Sequence, residues 1–336
     1  MMMLKELTML DGVSGNEDAV RDFILSHLKP HCEDVQVDKL GNVIVFKKGR
    51  SSAKKVMLCA HMDEVGLIVK GIDEEGYLHF APVGGIDARV LLGKRVDVAG
   101  IPGVIGIKAV HMTTPMEREQ AVKMSDMYID VGAENRDEVT AQLGDYVSFI
   151  KEYTEFGQNC ICAKALDDRV GCATLLEIAK RTDFAYDSYL CFTVQEEIGL
   201  RGAQAAARKI APDVCIALEG TVCQDTHGVP EHLWGTKQGG GPAISTIERQ
   251  IAHTRELVRR IQTIAKESNI PCQLKRTNMG GNDTRGVQTV GAGCCTAALS
   301  VPCRYIHGFA GVVVKKDAES LAKLAGVMME RMDELC

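Results

Sequence analysis

The sequence predicts an α/β protein: a mixed sheet flanked by helices, interrupted by a small β-rich inserted domain. Three observations carry this reading. Apolar runs at Lys55-Val56-Met57-Leu58-Cys59-Ala60, Tyr189-Leu190-Cys191-Phe192-Thr193-Val194 and residues 213–218 have the continuous character of strands buried on both faces. Amphipathic helical stretches alternate with them. From about Val65 to about Gln158 that alternation stops, and short strand-like pieces separated by turns replace it. A chain of 336 residues is long enough for two domains. The division that follows places residues 1–64 and 158–336 in the larger domain and 65–157 in the insert.

Taken in order, residues 4–29 read as helical, broken at Gly12-Val13-Ser14-Gly15. Asn16 or Ser14 is the expected cap for a helix with Val20, Phe23, Ile24 and Leu28 on one face. Val35-Gln36-Val37 and Asn42-Val43-Ile44-Val45-Phe46 are strand-like around a turn at Lys39–Asn42. The run 55–60 then delivers His61-Met62-Asp63-Glu64. In the insert, strands are expected at 67–70, 77–81, 94–98, 103–107, 128–131 and 146–150, with a short helix at 135–142. Beyond it, 167–181 reads as a helix with Val170, Thr174, Leu175 and Ile178 inward. The strand at 189–194 leads to Glu196-Glu197, a helix lies near 202–208, and the strand at 213–218 ends at Glu219. Residues 254–268 place Leu257, Val258, Ile261, Ile264 and Ala265 on one helical face. Gly280-Gly281-Asn282-Asp283 reads as a capped turn into a helix, with substrate contact as the alternative. Residues 297–301 and 304–306 lead to His307, and a helix bearing Leu321, Leu324, Met328, Met332 and Leu335 closes the chain.

Composition narrows the function classes. Apolar residues are 46% and charged residues 25%, ordinary for a globular protein. A net charge of −6 argues against a nucleic-acid partner held through phosphates. No apolar run reaches the ~18 residues of a membrane span, and no basic-then-apolar leader is visible at the start. The 13 cysteines lie mostly inside apolar runs and form no Cys-x-x-Cys pair. That pattern predicts reduced thiols and a cytoplasmic protein. Gly239-Gly240-Gly241-Pro242 lacks the Lys-Ser/Thr of a phosphate loop and is expected as a turn bordering the site. His111, His227, His232 and His253 match no motif and are expected on the surface or in loops.

Adjacent carboxylates at the end of a buried strand are costly unless a cation meets them. Here Glu196-Glu197 are joined, at other strand ends, by His61 with Asp63 and by Glu219. In open α/β sheets the carboxyl ends of parallel strands converge on one crevice. Asp167 and His307 are further candidates. Two divalent cations bring four positive charges; Asp167, Glu197, Glu219 and a bridging hydroxide balance them, with His61 and His307 as neutral imidazoles. Glu196 is then spare, as a general base must be. Asp63 is placed to accept the other imidazole proton of His61 and fix its tautomer.

The motifs Ala60-His61-Met62-Asp63-Glu64-Val65-Gly66, Lys164-Ala165-Leu166-Asp167-Asp168-Arg169-Val170-Gly171, Gln195-Glu196-Glu197-Ile198-Gly199 and Arg304-Tyr305-Ile306-His307 resemble those of the M42 metallo-aminopeptidases. That family includes glutamyl and tetrahedral (TET) aminopeptidases. The resemblance runs over essentially the whole chain, including Val83-Gly84-Gly85-Ile86 and Gly103-Val104-Ile105-Gly106 in the insert. It implies a metallo-exopeptidase-like catalytic domain and an aminopeptidase acting on short peptides. His61, Asp167 and Glu219 would hold one metal and Asp167, Glu197 and His307 the other, with Asp167 bridging. Glu196 would activate a metal-bridging water. The resemblance further implies a PDZ-like dimerisation insert and dimers assembling into a homo-oligomeric dodecamer. Three positions depart from the commoner pattern: Glu219 replaces Asp, Asp168 replaces Asn, and Gly308 replaces Ser or Thr. The donor set accepts zinc, cobalt or manganese, with zinc or cobalt expected. A related amidohydrolase, carboxypeptidase or deacetylase, shares such ligands and is the competing enzyme reading. A peptide-binding protein without activity is the non-catalytic one; the complete ligand set with Glu196 speaks against it.

Overall fold

The structure, a computed structural model, describes residues 3–276 and 279–335. Its largest sheet is built from β1 (Val35–Val37), β2 (Val43–Lys47), β3 (Ser51–His61), β4 (Tyr186–Thr193), β5 (Val214–Val222), β6 (Ala243–Ile244), β7 (Gln273–Leu274) and β8 (Cys295–Cys303). The spatial order is β1-β2-β4-β3-β5-β8-β6-β7. The four central strands are parallel, and the sheet is mixed because β1/β2, β2/β4 and β6/β8 pair antiparallel.

The central strands are apolar throughout because both faces are covered. Along β3, Val56, Leu58 and Ala60 join the main core, packed with Val170, Leu175, Leu321 and Leu324 from helices Leu166–Ala179 and Lys315–Glu330. Met57 and Cys59 face the other way, against Ala203, Ala206, Ala207 and Val287 of helices Arg201–Ile210 and Thr284–Gln288. Helix Arg255–Glu267 buries the five residues predicted for its inner face.

Register brings the strand ends level. Thr193 pairs with His61 across β4/β3, and Ala217 pairs with Cys59 across β5/β3, so Glu219 stands level with His61. Glu219 lies inside β5 rather than at its end, because pairing with β8 continues to Val222 and Cys303.

Between β3 and the second half of the sheet, six strands close into a barrel: Gly66–Ile72, Leu78–Val83, Arg95–Val98, Ile101–Ile107, Met127–Asp130 and Tyr146–Phe149. All six predicted strand regions are present. Period-two alternation turns Leu67 and Val69, Leu78 and Phe80, and Val96 and Val98 into a core separate from the main one. Closure also leaves no free edge to pair with another chain. The architecture shown is this closed barrel. Residues Tyr153–Phe156 pair instead with Cys160–Ala163, which in turn pairs with Gly311–Val314.

Local expectations fail where apolar periodicity is weak. The helix expected at 135–142 is a single 3-10 turn at Arg136–Glu138; the segment has no apolar stripe to pack. The helix that does form nearby, Pro115–Glu119, is exposed and held by a Thr114–Glu117 capping box. The N-terminal stretch divides into Leu4–Thr8 and Asp18–Leu28; neither Asn16 nor Ser14 caps the second, whose N-cap position is Glu17. The closing helix breaks at Arg331, so Met332 and Leu335 belong to a separate turn of helix. His253 lies in a loop, as expected, but is buried there, and Gly239 and Gly241 donate their amides to Asp317 in a turn away from the cleft. The twelve described cysteines form no disulfide, and no described helix is long and apolar enough to cross a membrane.

Candidate active site

All seven sequence-predicted residues meet at the carboxyl ends of the parallel strands. His61 Nε2 lies 3.3 Å from Asp167 Oδ1 and 3.6 Å from Glu219 Oε2. His307 Nε2 lies 3.6 Å from Asp167 Oδ2 and 3.1 Å from Glu197 Oε1. The two oxygens of Asp167 therefore face different imidazoles, as a bridging carboxylate requires. Gly220 donates its amide to Asp167 Oδ1 at 3.0 Å. A Cβ on Gly220 would stand 2.8 Å from Asp167 Cβ, so only glycine permits this approach.

The outer nitrogens of both imidazoles are held. Nδ1 of His307 is 2.9 Å from the carbonyl of Gly85, two residues beyond the barrel strand Leu78–Val83. Nδ1 of His61 is 3.0 Å from the backbone carbonyl of Asp63 and 3.4 Å from its carboxylate. The tautomer-fixing acceptor is thus chiefly the Asp63 carbonyl. The Asp63 carboxylate instead accepts the amides of Glu196 and Glu197 at 3.0 and 3.1 Å and the Ser14 hydroxyl at 2.6 Å.

The charges explain the titration of the site. Burial opposes protonation of His307, but Asp167 and Glu197 outweigh it and hold the imidazole up to about 11. His61 is likewise raised against burial by Asp167, Asp63 and Glu219. Burial opposes ionisation of Asp167 too, yet the two histidines keep its carboxyl well below the usual range. Burial raises Glu196, Glu197 and Glu219. It also raises Asp168, whose oxygens accept the amides of Gly171 and His61.

Behind the site, Lys164 binds Glu64 and the Leu10 carbonyl from full burial. Arg169 lies 3.5 Å from the same carboxylate. Non-glycine residues with left-handed backbone flank the ligand segments: Ala165, Gln195, Tyr305 and His307. Such conformations persist where surrounding structure enforces them.

A cleft of about 390 Å³ opens in front of the cluster. His61, Asp167, Glu196, Glu197, Glu219 and His307 line one side of it. Gly280, Gly281 and Asn282 line another, so that turn faces the cleft. Among the described residues, the Glu196 carboxylate has no hydrogen bond or ion pair.

The donors suit divalent cations. Two groups, His61–Asp168–Glu219 and His61–Asp167–Glu197, have ligand atoms within 4.8 Å of one another. Asp167 is the better ligand, since Asp168 spends its oxygens on backbone amides. Two imidazoles stand amid more carboxylates than they can neutralise, and the shifted titration of the cluster is the mark of that excess, which bound cations would relieve.

The family model for M42 glutamyl aminopeptidases matches residues 41–324. The chain belongs to the M42 peptidase family. It is accordingly a peptide hydrolase. Lysyl aminopeptidase of Pyrococcus furiosus is 32% identical over 98% of this chain and 96% of its own. A TET aminopeptidase from a marine-sediment Thaumarchaeota archaeon superposes with a TM-score of 0.95 at 34% identity, covering 99% and 97% of the two chains. The TET1 peptidase of Pyrococcus horikoshii, described as assembling into a tetrahedron or a large octahedral shell, gives 0.87 at 32% identity over 98% of each chain. In this M42 chain, Gly85 and Gly220 are parts of the site that residue chemistry alone did not disclose. Their glycines carry no ligand signal; only the fold shows a carbonyl at one and a close approach at the other.

Proposed function

We propose that this M42 chain is a binuclear metal-dependent aminopeptidase that removes N-terminal residues from short peptides. The observation that carries the reading is Glu196: a carboxylate lining the cleft beside the metal-type cluster, with no hydrogen bond or ion pair among the described residues. His61, Asp167 and Glu219 would hold one divalent cation and Asp167, Glu197 and His307 the other, with zinc or cobalt the expected ions. Such cations, when bound, polarise a peptide carbonyl and make an attacking water more acidic. Glu196 takes the proton from that water and returns it to the leaving nitrogen. Asp63 keeps Glu196 and Glu197 pointing their separate ways by holding both amides. The carboxylate-rich wall attracts a free α-ammonium and so places the first peptide bond at the reacting centre.

The barrel serves assembly in this reading, as the PDZ-like dimerisation module that the resemblance implies. It leaves Val90, Leu92, Val104, Val110, Met112, Met116 and Leu143 exposed, apolar side chains that an interface would cover. Homo-oligomers built from dimers follow, up to a dodecamer. The apolar setting of the cysteines fits a cytoplasmic protein.

Glu196→Gln should keep both cations and the fold while lowering kcat by at least ~10²-fold. Glu197→Gln should instead lose metal. Metal analysis of the purified variants beside kcat separates the roles, and an active Glu196→Gln enzyme overturns the assignment.

A further inference from the structure

Four consecutive amides at the heart of the site are caught by side chains from elsewhere. Val194 donates to Asn42 Oδ1 at 3.0 Å, and Gln195 donates to Glu17 Oε1 at 3.1 Å. Glu196 and Glu197 donate to the two oxygens of Asp63. The chain here has just left β4 and has no sheet partner for these groups, so the three side chains substitute for one.

Glu17 is the unexpected member. It occupies the N-cap position of an 11-residue helix, yet makes no cap bond to that helix. Its carboxylate turns back instead, accepting Gly15 N–H at 2.8 Å as well as that of Gln195. The residue is 6% exposed. Burial raises its carboxyl to about 7, against the pull of the backbone donors. Burying a carboxylate for a cap that water or a serine could supply is costly. What it holds is Gln195, a non-glycine residue at φ +57° immediately before Glu196. Released, Gln195 would relax toward ordinary extended backbone, and that rotation would swing the Glu196 side chain out of line.

We propose that Glu17 is a positioning residue for catalysis, fixing the direction of Glu196 by anchoring the left-handed peptide before it. The proposal rests on Glu196 being the base. Among the three clamps, Glu17 is the informative one to alter. Asp63 also contacts His61, and Asn42 also ties down Gly202 and Asp38, whereas Glu17 touches no metal-type ligand.

The test uses three variants of the full chain, with kcat and KM on an aminoacyl p-nitroanilide, metal content, and amide exchange on metal-free protein. Glu17→Asp keeps the charge but is too short to reach Gln195. Glu17→Gln keeps an acceptor of the right reach, and Glu17→Ala removes everything. Expected are a ~10- to 100-fold loss of kcat in Glu17→Asp and Glu17→Ala, with KM changed less than about threefold and metal content unchanged. Glu17→Gln should retain at least about a third of kcat. Without metal, the peptide spanning 194–200 should exchange faster in Glu17→Asp than in the parent, and the helix at 166–179 should not. A kcat for Glu17→Asp within about twofold of the parent, an equal loss in Glu17→Gln, or exchange rising across the whole chain overturns the proposal. If Glu17→Ala does not fold, the Asp and Gln pair still decides. Glu196→Gln is measured alongside. If it stays active, the base assignment has failed, while the exchange result still reports on the clamp.

Discussion

Loading the metal-free protein with divalent cations should release protons. His307 is held up to about 11, so at pH 7 its imidazole carries a proton, and His61 is shifted in the same direction. Ligation requires both to be neutral. Burial also raises Glu219, which adds to the release as it ionises. At least one proton, that of His307, therefore leaves as the site fills, and His61 and Glu219 add to it. Each contributes tenfold per pH unit, about 1.36 kcal/mol. Between pH 6 and pH 8 the His307 proton alone should raise the affinity ~10²-fold, about 2.7 kcal/mol, with tighter binding at the higher pH and any release from His61 adding to it. Calorimetric titration of zinc or cobalt in two non-coordinating buffers of different ionisation enthalpy counts the protons directly. His307→Gln should lower the count by one and abolish the second binding event. A count near zero at pH 7, or affinity independent of pH, would show that the carboxylates do not hold the His307 imidazole protonated before metal arrives.

Glu64→Ala should destabilise the chain by about 3–5 kcal/mol, because it strands two fully buried cations, Lys164 and Arg169; denaturant unfolding measures this, and a loss below about 1 kcal/mol would contradict it. Short peptides with a free N-terminus should lose single residues stepwise by mass spectrometry, and their N-acetylated counterparts should stay intact; internal cleavage of the acetylated peptide would remove the aminopeptidase mechanism while leaving the metal site. Replacing barrel residues 66–149 by a short linker should leave a folded protein of lower oligomeric state by light scattering. An unchanged assembly size would show that the barrel does not build it.

Much of this molecule was legible in its sequence because burial on both faces writes continuous apolar runs. β3, β4 and β5 were readable for that reason, and so was the insert, whose alternating strands carry the period of a half-buried sheet. The residues that converge on the cleft were legible because charged and ligand-type side chains beside such runs are costly without a purpose. What the sequence left open is of a different kind. That His61 and Glu219 stand level depends on parallel register, which no local pattern encodes. The carbonyl of Gly85 and the closeness of Gly220 to Asp167 are backbone facts, identical in residue chemistry to those of many other glycines. Glu17 looked like the start of an ordinary helix. Only the tertiary structure brings its carboxylate against Gln195, more than 170 positions away, where a long-range contact fixes a local conformation.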